Sequence, residues 1–256
     1  MSEYIILFAV FISSFIYGLI GFGDALILIP ILTLFINIQS AVVLVNFWGV
    51  VPSLLNLIHY FKFIDKKFFI RGVITGIPGV LVGTLLIVIL PLRWIELTLG
   101  LFVLVYSTLN MVKYLSKKKH GEKKIEKFDD LKLPNSVLIV GGFSYGFFGA
   151  LIGAAGPINI ALLENTGHYR EEFIGNFAAI STVFGLIRIP IYLTQQIFPT
   201  EYLLAFFIAI PVIFFATKIG HWITPKIPVQ SFQLIIHIML FISSIRTILM
   251  TTIFYE

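Results

Sequence analysis

The sequence predicts an all-α polytopic membrane protein made of two repeats of about four helical segments each. Hydrophobic residues make up 58% of the 256 residues and charged residues only 12%, a balance that soluble domains do not have. Charge-free stretches such as 41–58 and 72–92 approach the roughly 20 apolar residues that cross a bilayer. Short patterns also recur, since Asn46-Phe47 returns as Asn176-Phe177 and Ile77-Pro78 as Ile210-Pro211. Two related halves are typical of secondary transporters.

The charges divide the chain into three parts. The first membrane repeat spans residues 1–115, a charged loop rich in Lys spans 116–134, and the second repeat spans 135–256. Such a loop is typical of a cytoplasmic topology anchor, and a docking site for anionic lipid or a partner is the alternative. The net charge of +5 comes mostly from two loops, so it does not indicate nucleic-acid binding.

Each repeat opens with an apolar stretch that is too long for one span. Residues 4–36 would form a helix of about 50 Å, against a hydrocarbon core of ~30 Å, and residues 136–165 repeat the problem. Glycines interrupt both stretches, so each is either a long broken helix or a re-entrant hairpin. Eight simple spans would divide the loop Lys and Arg residues 12 to 4 between the two sides, whereas two hairpins divide them 15 to 1. The positive-inside rule therefore favours hairpins and an inverted repeat.

Helices that start inside the membrane present free backbone N–H groups and the positive end of the helix dipole, which bind anions. We expect such starts near Gly23-Asp24-Ala25 and near Gly156-Pro157-Ile158-Asn159. A proline just inside a helix start fits the second assignment. The alternative is that the glycines serve only to let helices pack closely.

Arg188 lies inside an apolar segment, where burial costs at least about 2.5–3.5 kcal/mol and requires a partner or water. Steps of 4, 3, 4 and 3 place a polar set on one helix face: Ser181, Gly185, Arg188, Tyr192 and Gln195. A guanidinium on such a face indicates a water-lined path for an oxyanion, which it binds through paired N–H groups. The alternatives are a structural arginine paired to a carbonyl or carboxylate, or one that snorkels to an interface.

A neutral polar stripe and one carboxylate complete the candidate set. The stripe comprises Asn46, Gly49, Ser53, Asn56 and Tyr60, and it either lines a cavity or holds helices together. Asp24 lies at the expected break in the first repeat, and an isolated carboxylate inside a membrane is a candidate proton or cation site. Asp24 could also cap the second half-helix, and the two roles are compatible.

Other classes of function find no support in the sequence. The chain has no cysteine, and its five histidines show no metal-ligand spacing. A nucleophile elbow, a phosphate loop and a dinucleotide fingerprint are all lacking, so neither an enzyme, a cofactor nor an ATP-driven pump is predicted. We expect residues 4–20 to be mature structure rather than a signal peptide, since no basic n-region precedes them.

The glycine-rich runs resemble a known family. Gly18-Leu-Ile-Gly-Phe-Gly-Asp-Ala-Leu-Ile-Leu-Ile-Pro-Ile-Leu resembles the N-terminal signature of the sulfite exporter TauE/SafE family, also called the toluene sulfonate uptake permeases. Gly149-Ala-Leu-Ile-Gly-Ala-Ala-Gly-Pro is similar to its second copy. The resemblance covers the whole length and implies a carrier of small sulfur-containing anions such as sulfite and organosulfonates. It would place four glycines at the substrate site: Gly21, Gly23, Gly153 and Gly156.

The chain departs from the family pattern at both runs. The triple glycine has become Gly23-Asp24-Ala25 in one half and Ala155-Gly156-Pro157 in the other, and Leu162 replaces the proline expected after the second run. These changes bear on the substrate more than on the fold.

We therefore predict a secondary transporter of a small anion in the cell inner membrane, working by alternating access. Arg188 would be the charged partner, and Asp24 would couple transport to a proton. The remaining substrate-binding candidates are Asn46, Ser53, Asn56, Asn159, Tyr192 and the four glycines. The alternatives are a cation- or proton-linked carrier with Asp24 as ligand, or a non-transporting membrane scaffold. The sequence leaves the exact substrate, the direction of transport and a homo-oligomer open.

Overall fold

The computed structural model describes residues 2–91, 135–153, 155–165 and 171–223, together with scattered positions between 93 and 112 and between 241 and 249. The charged loop 116–134 and the chain ends of the two repeats at 115 and 256 lie outside this part.

The described part of the chain is helical and contains no strand. Its eight α-helices are α1 (Ser2–Ile20), α2 (Asp24–Leu32), α3 (Ile38–His59), α4 (Lys66–Ile89), α5 (Asn135–Leu151), α6 (Gly156–Asn165), α7 (Glu171–Thr194) and α8 (Leu203–Ile223). Short 3-10 turns occupy Phe61–Phe63 and Thr200–Tyr202. Four of these segments are long and apolar enough to cross a membrane, namely α3, α4, α7 and Thr200–Ile223. The protein is therefore a multi-pass membrane protein, as the composition predicts.

Both long apolar stretches are broken at their glycines. In the first, Gly21 (φ 85°) and Gly23 (φ 97°) adopt left-handed conformations that end α1 and turn the chain into α2. In the second, Gly153 (φ 70°) separates α5 from α6. With nine residues, α2 is only about 14 Å long, so it cannot cross a bilayer alone. The breaks that the glycine runs predict are confirmed.

Glycines also bring two pairs of helices into close contact. A Cβ atom added to Gly79 of α4 would clash with the carbonyl of Phe143 in α5, and one on Gly146 would clash with the carbonyl of Gly76. In the other pair, a Cβ on Gly18 of α1 would clash with the carbonyl of Thr217 in α8. Backbone-to-backbone packing of this kind needs residues without side chains, as in other membrane helix pairs. Part of the glycine content therefore serves packing, as the alternative interpretation holds.

The helix contacts between the two parts of the chain are reciprocal. Helix α1 packs on α8, helix α5 packs on α4, and the central helices α3 and α7 pack on each other. Each opening helix therefore lies beside the last described long helix of the other part. The two short helices after the breaks, α2 and α6, each pack against the helix before it and the helix after it.

Asp65 is the N-cap residue of α4, and we predict that it stabilises the start of this helix. Its carboxylate accepts from the backbone N–H groups of Lys67 (2.8 Å) and Phe68 (3.2 Å), and its own N–H donates to Asn176 Oδ1 (3.0 Å). Since loss of such an N-cap costs roughly 1 kcal/mol, we expect Asp65→Ala to lower the melting temperature by a few degrees. Asp65→Asn, which retains a capping oxygen, should melt closer to the wild type. Equal melting temperatures for Asp65→Ala and the wild type would contradict this assignment.

Candidate functional site

A cavity of about 70 Å³ lies where both helix breaks meet the central helices α3 and α7. The first break contributes Gly23 and Asp24, and the second contributes Gly153 and Gly156. Helices α3 and α7 contribute Asn46 and Ser53, and Ser181 and Arg188, respectively. The two Gly-rich runs, which are distant in the sequence, thus meet at one cavity together with Arg188, the only arginine of α7.

Arg188 is buried in this wall, with 8% of its surface exposed, and its side chain is held on one side only. Nη1 donates to the Asn46 Oδ1 atom and to the carbonyl of Gly149 (3.1 Å). Asn46 is itself oriented, because its Nδ2 donates to the carbonyl of Val42 (2.8 Å) and so directs its oxygen to the arginine. Nε has no partner, and no described residue accepts from Nη2. The Nε–Nη2 edge, the fork that binds oxyanions, is therefore free of protein partners.

Gly149 makes room for this guanidinium. A Cβ atom on Gly149 would lie 2.9 Å from Arg188 Nη2, closer than carbon and nitrogen can pack. On α7 itself, Gly185 lies one turn before Arg188 and lines the cavity, and a Cβ atom there would meet the side chain of Val50. Spacing alone places Gly185 on the face of Arg188, whereas the role of Gly149 emerges only from the structure, because it depends on a contact between α5 and α7.

Asp24 is the first residue of α2, and its carboxylate faces the same cavity. Gly23 occupies the N-cap position, and the backbone N–H groups of Asp24 and Ala25 lie beside the carboxylate, as the capping alternative expects. Oδ2 lies 3.5 Å from the place where a Cβ of Gly49 would be. No ion pair joins Asp24 to Arg188 within the described residues. The cavity thus contains one acidic side chain, Asp24, and one basic side chain, Arg188, that do not form an ion pair with each other.

Four other predicted residues do not line the cavity. Gly21 forms the left-handed turn against Ile174. The Tyr192 hydroxyl donates to the carbonyl of Ala150 (3.1 Å). Asn56 donates to the carbonyl of Tyr17 (3.3 Å), and its oxygen is hydrogen-bonded to His221. Asn159 is 1% exposed, and its Nδ2 has no partner.

Two tyrosines that sequence reasoning does not select line the cavity. Tyr17 OH lies 2.8 Å from Ser53 Oγ, and Tyr145 OH lies 2.6 Å from Ser181 Oγ. Both pairs join residues that are 36 positions apart. A signal is present in the sequence, because Tyr17-Gly18 and Tyr145-Gly146 open the two glycine runs at the same offset as Ser53 and Ser181.

The described residues contain no group of three or more His, Cys, Asp or Glu side chains that could hold a metal ion. The charged groups that line the cavity are the Arg188 guanidinium and the Asp24 carboxylate, beside amide and hydroxyl side chains.

Comparison with known proteins gives one finding. The family model described as Sulfite exporter TauE/SafE matches residues 5–247, which include both helix breaks and Arg188. No curated protein and no solved structure matches the chain. The match extends over nearly the whole chain rather than over one of its glycine runs.

Proposed function

The chain belongs to the sulfite exporter TauE/SafE family, and from that premise we propose that it is a secondary carrier that binds a small sulfur oxyanion at Arg188. The family consists of membrane transporters of the sulfite and sulfonate type and is not an enzyme family. The observation that carries the proposal is the free Nε–Nη2 edge of Arg188 in a cavity between two helix breaks.

The surroundings of Arg188 favour an anion. Asn46 and the carbonyl of Gly149 fix the guanidinium through Nη1, so its orientation is set before a ligand arrives. Helices α2 and α6 both begin at the cavity, and the positive ends of their dipoles favour negative charge there. A prepositioned fork with two helix starts is a donor-rich environment that a planar or pyramidal oxyanion can satisfy.

The size of the cavity favours a small substrate. Its volume of about 70 Å³ is well below the roughly 300–1,000 Å³ of sites for drug-sized ligands. Sulfite, or a short sulfonate, therefore suits the cavity better than an aromatic sulfonate does.

Asp24 is the proposed coupling residue. A charged, unpaired carboxylate is costly inside a membrane and would repel an anion in the same cavity, so a proton on Asp24 should accompany the substrate. We expect Asp24→Asn to bind sulfite but to lose accumulation driven by a proton gradient, while exchange of sulfite across the membrane continues. Accumulation by reconstituted vesicles with and without an imposed pH gradient measures this. Unchanged gradient-driven accumulation would remove Asp24 from the coupling step.

The reciprocal helix contacts support a carrier with two inverted repeats, residues 1–115 and 135–256, joined by the loop 116–134. In such carriers one repeat rocks against the other around a fixed central site. Location in the cell inner membrane, and any homo-oligomer, stay predictions from the sequence.

Thermal stabilisation of the detergent-purified protein tests the proposed function. A ligand raises the melting temperature according to its concentration relative to its dissociation constant, so sulfite, thiosulfate, short sulfonates and short carboxylates can be compared directly. We expect sulfur oxyanions to stabilise the wild type but not Arg188→Ala. The absence of a shift with any anion, at acid and neutral pH, would instead favour the cation-linked carrier or the scaffold.

A second candidate is a cation- or proton-linked carrier in which Arg188 is structural. The position of Asp24 in the cavity, without an ion pair to Arg188, favours this alternative. Transport that survives Arg188→Gln but not Asp24→Asn would establish it.

A further inference from the structure

The geometry points to Tyr145 and Ser181 as substrate-binding residues that donate to a third oxygen of the anion, and to Tyr17 and Ser53 as their structural counterparts. This inference rests on the proposed function, because it concerns the same cavity. It also narrows the substrate class, since an anion that uses the arginine fork and a hydroxyl together needs at least three acceptor oxygens.

The two hydroxyl pairs have nearly the same geometry. Each joins a tyrosine of an opening helix to a serine of a central helix, at 2.8 Å for Tyr17–Ser53 and 2.6 Å for Tyr145–Ser181. Both tyrosine rings pack on the ring of Phe177, with centroid distances of 6.3 and 5.9 Å. Any functional difference between the pairs must therefore come from the acceptors to which their hydroxyl protons are donated.

In the first pair, every hydroxyl proton has an acceptor inside the protein. Ser53 donates to the carbonyl of Gly49 at 2.6 Å, four residues earlier on α3. A serine hydroxyl has one proton, so Ser53 Oγ must accept from Tyr17 OH. Tyr17 and Ser53 thus form a closed chain that ends on the backbone, and neither has a proton left for a ligand. By this count Ser53, predicted from the sequence to bind substrate, has a structural role.

In the second pair, one proton is left over. Ser181 donates to no backbone carbonyl among the described residues, so Tyr145 and Ser181 share a single hydrogen bond between two hydroxyl protons. Whichever group donates within the pair, the other keeps a proton that makes no hydrogen bond of normal length within the described residues, although the Tyr17 hydroxyl also lies beside Ser181. Both residues line the cavity, so this proton can be donated to a bound anion.

The spare donor lies on the same side as the arginine fork. Ser181 precedes Arg188 by seven residues on α7, about 10 Å along the helix axis, and both lie on one face. Helical side chains lean toward the N-terminus, so the arginine extends toward Ser181.

Asn159 of α6 adds a second unsatisfied donor behind this pair. It lies beside the Tyr145 hydroxyl, and its buried Nδ2 has no partner at normal hydrogen-bond length. A small movement of α6 would let Asn159 donate to Tyr145, which would then direct its own proton to the ligand. No such unsatisfied amide accompanies Tyr17, since Asn56 is bonded to the Tyr17 carbonyl and to His221.

These donors predict a preference for sulfur oxyanions over carboxylates. A carboxylate has two oxygens, and the Arg188 fork satisfies both. Sulfite and a sulfonate group have three, and the third oxygen matches the spare proton of the Tyr145–Ser181 pair. The pair should therefore contribute to the binding of sulfite and leave the binding of acetate unchanged.

The test compares two matched double variants, which remove the same atoms from the two pairs. The first combines Tyr145→Phe and Ser181→Ala, and the second combines Tyr17→Phe and Ser53→Ala. Affinities for sulfite and acetate are measured by titration calorimetry on the purified full-length protein. We expect the first double variant to lose roughly 10–100-fold in sulfite affinity, as for one hydrogen bond to a charged group, with acetate affinity unchanged. The second should lower the melting temperature and retain sulfite affinity within about threefold.

Equal losses of sulfite affinity in the two double variants, or no loss in the first, would overturn the inference. If a double variant does not fold, the single variants Ser181→Ala and Ser53→Ala, each combined with the acetate measurement, decide in the same way. Wild-type protein that binds no sulfite would refute the proposed function as well. Wild-type binding that depends on Arg188 but not on Tyr145 and Ser181 would refute this inference alone.

Discussion

Replacement of Arg188 by lysine is expected to weaken sulfite binding by about 10–100-fold, although the positive charge is retained. The guanidinium is fixed by Asn46 and Gly149 through Nη1 and has no protein partner on its Nε–Nη2 edge, whereas an ammonium presents one compact charge and no fork. Loss of one charge-assisted hydrogen bond costs about 1.5–3 kcal/mol, and each 1.4 kcal/mol is about tenfold in affinity. Arg188→Ala, which loses the charge as well, should bind more weakly still.

Arg71 provides the matched control for this substitution. It lies on α4, is exposed, and does not line the cavity. Titration of sulfite should therefore give wild-type affinity for Arg71→Lys and a large loss for Arg188→Lys. A wild-type affinity in Arg188→Lys would show that the fork does not bind the substrate, and would favour the carrier in which Arg188 is structural.

Replacement of Gly146 by alanine is expected to cause a large loss of stability, because it separates the helix pair α4–α5. The new Cβ would clash with the carbonyl oxygen of Gly76 and lie 3.0 Å from the backbone N of Val80. Backbone atoms inside a helix cannot move alone, so the two helices must separate. Overpacking costs typically about 1–3 kcal/mol, which corresponds to a melting temperature lower by roughly 3–10 °C.

Gly141→Ala is the control on the same helix. The nearest atoms to its Cβ would belong to the side chain of Leu162 rather than to a backbone, and a side chain can shift more easily than a helix backbone. Thermal unfolding in detergent should therefore show a smaller change for Gly141→Ala than for Gly146→Ala. Similar melting temperatures for the two variants would contradict the close approach of α4 and α5.

The sequence predicts the parts of this structure that depend on local chemistry. Glycine runs in long apolar stretches predict the breaks at Gly21–Gly23 and at Gly153, because only glycine adopts a positive φ at low cost. The need of Arg188 for polar surroundings follows from the cost of a lone charge in an apolar segment. These signals require no knowledge of which helices are neighbours.

Which of the polar side chains reach the cavity depends on contacts between residues that are distant in the sequence. Spacing places Tyr192 on the face of Arg188, but the Tyr192 hydroxyl reaches the carbonyl of Ala150, and its ring stacks on Phe47. Asn56 belongs to the polar stripe, yet its partner His221 comes from α8, which is 165 residues away. A helix face is about 100° wide, so only the neighbouring helices decide which of its polar groups reach the cavity.

Uptake of radiolabelled sulfite into vesicles reconstituted with the purified protein tests the central claim most directly. The account predicts saturable uptake by the wild type, competition by unlabelled sulfite and not by chloride, and loss of uptake in Arg188→Lys under conditions where Arg71→Lys transports normally. Uptake that is equal in wild-type, Arg188→Lys and protein-free vesicles would contradict it.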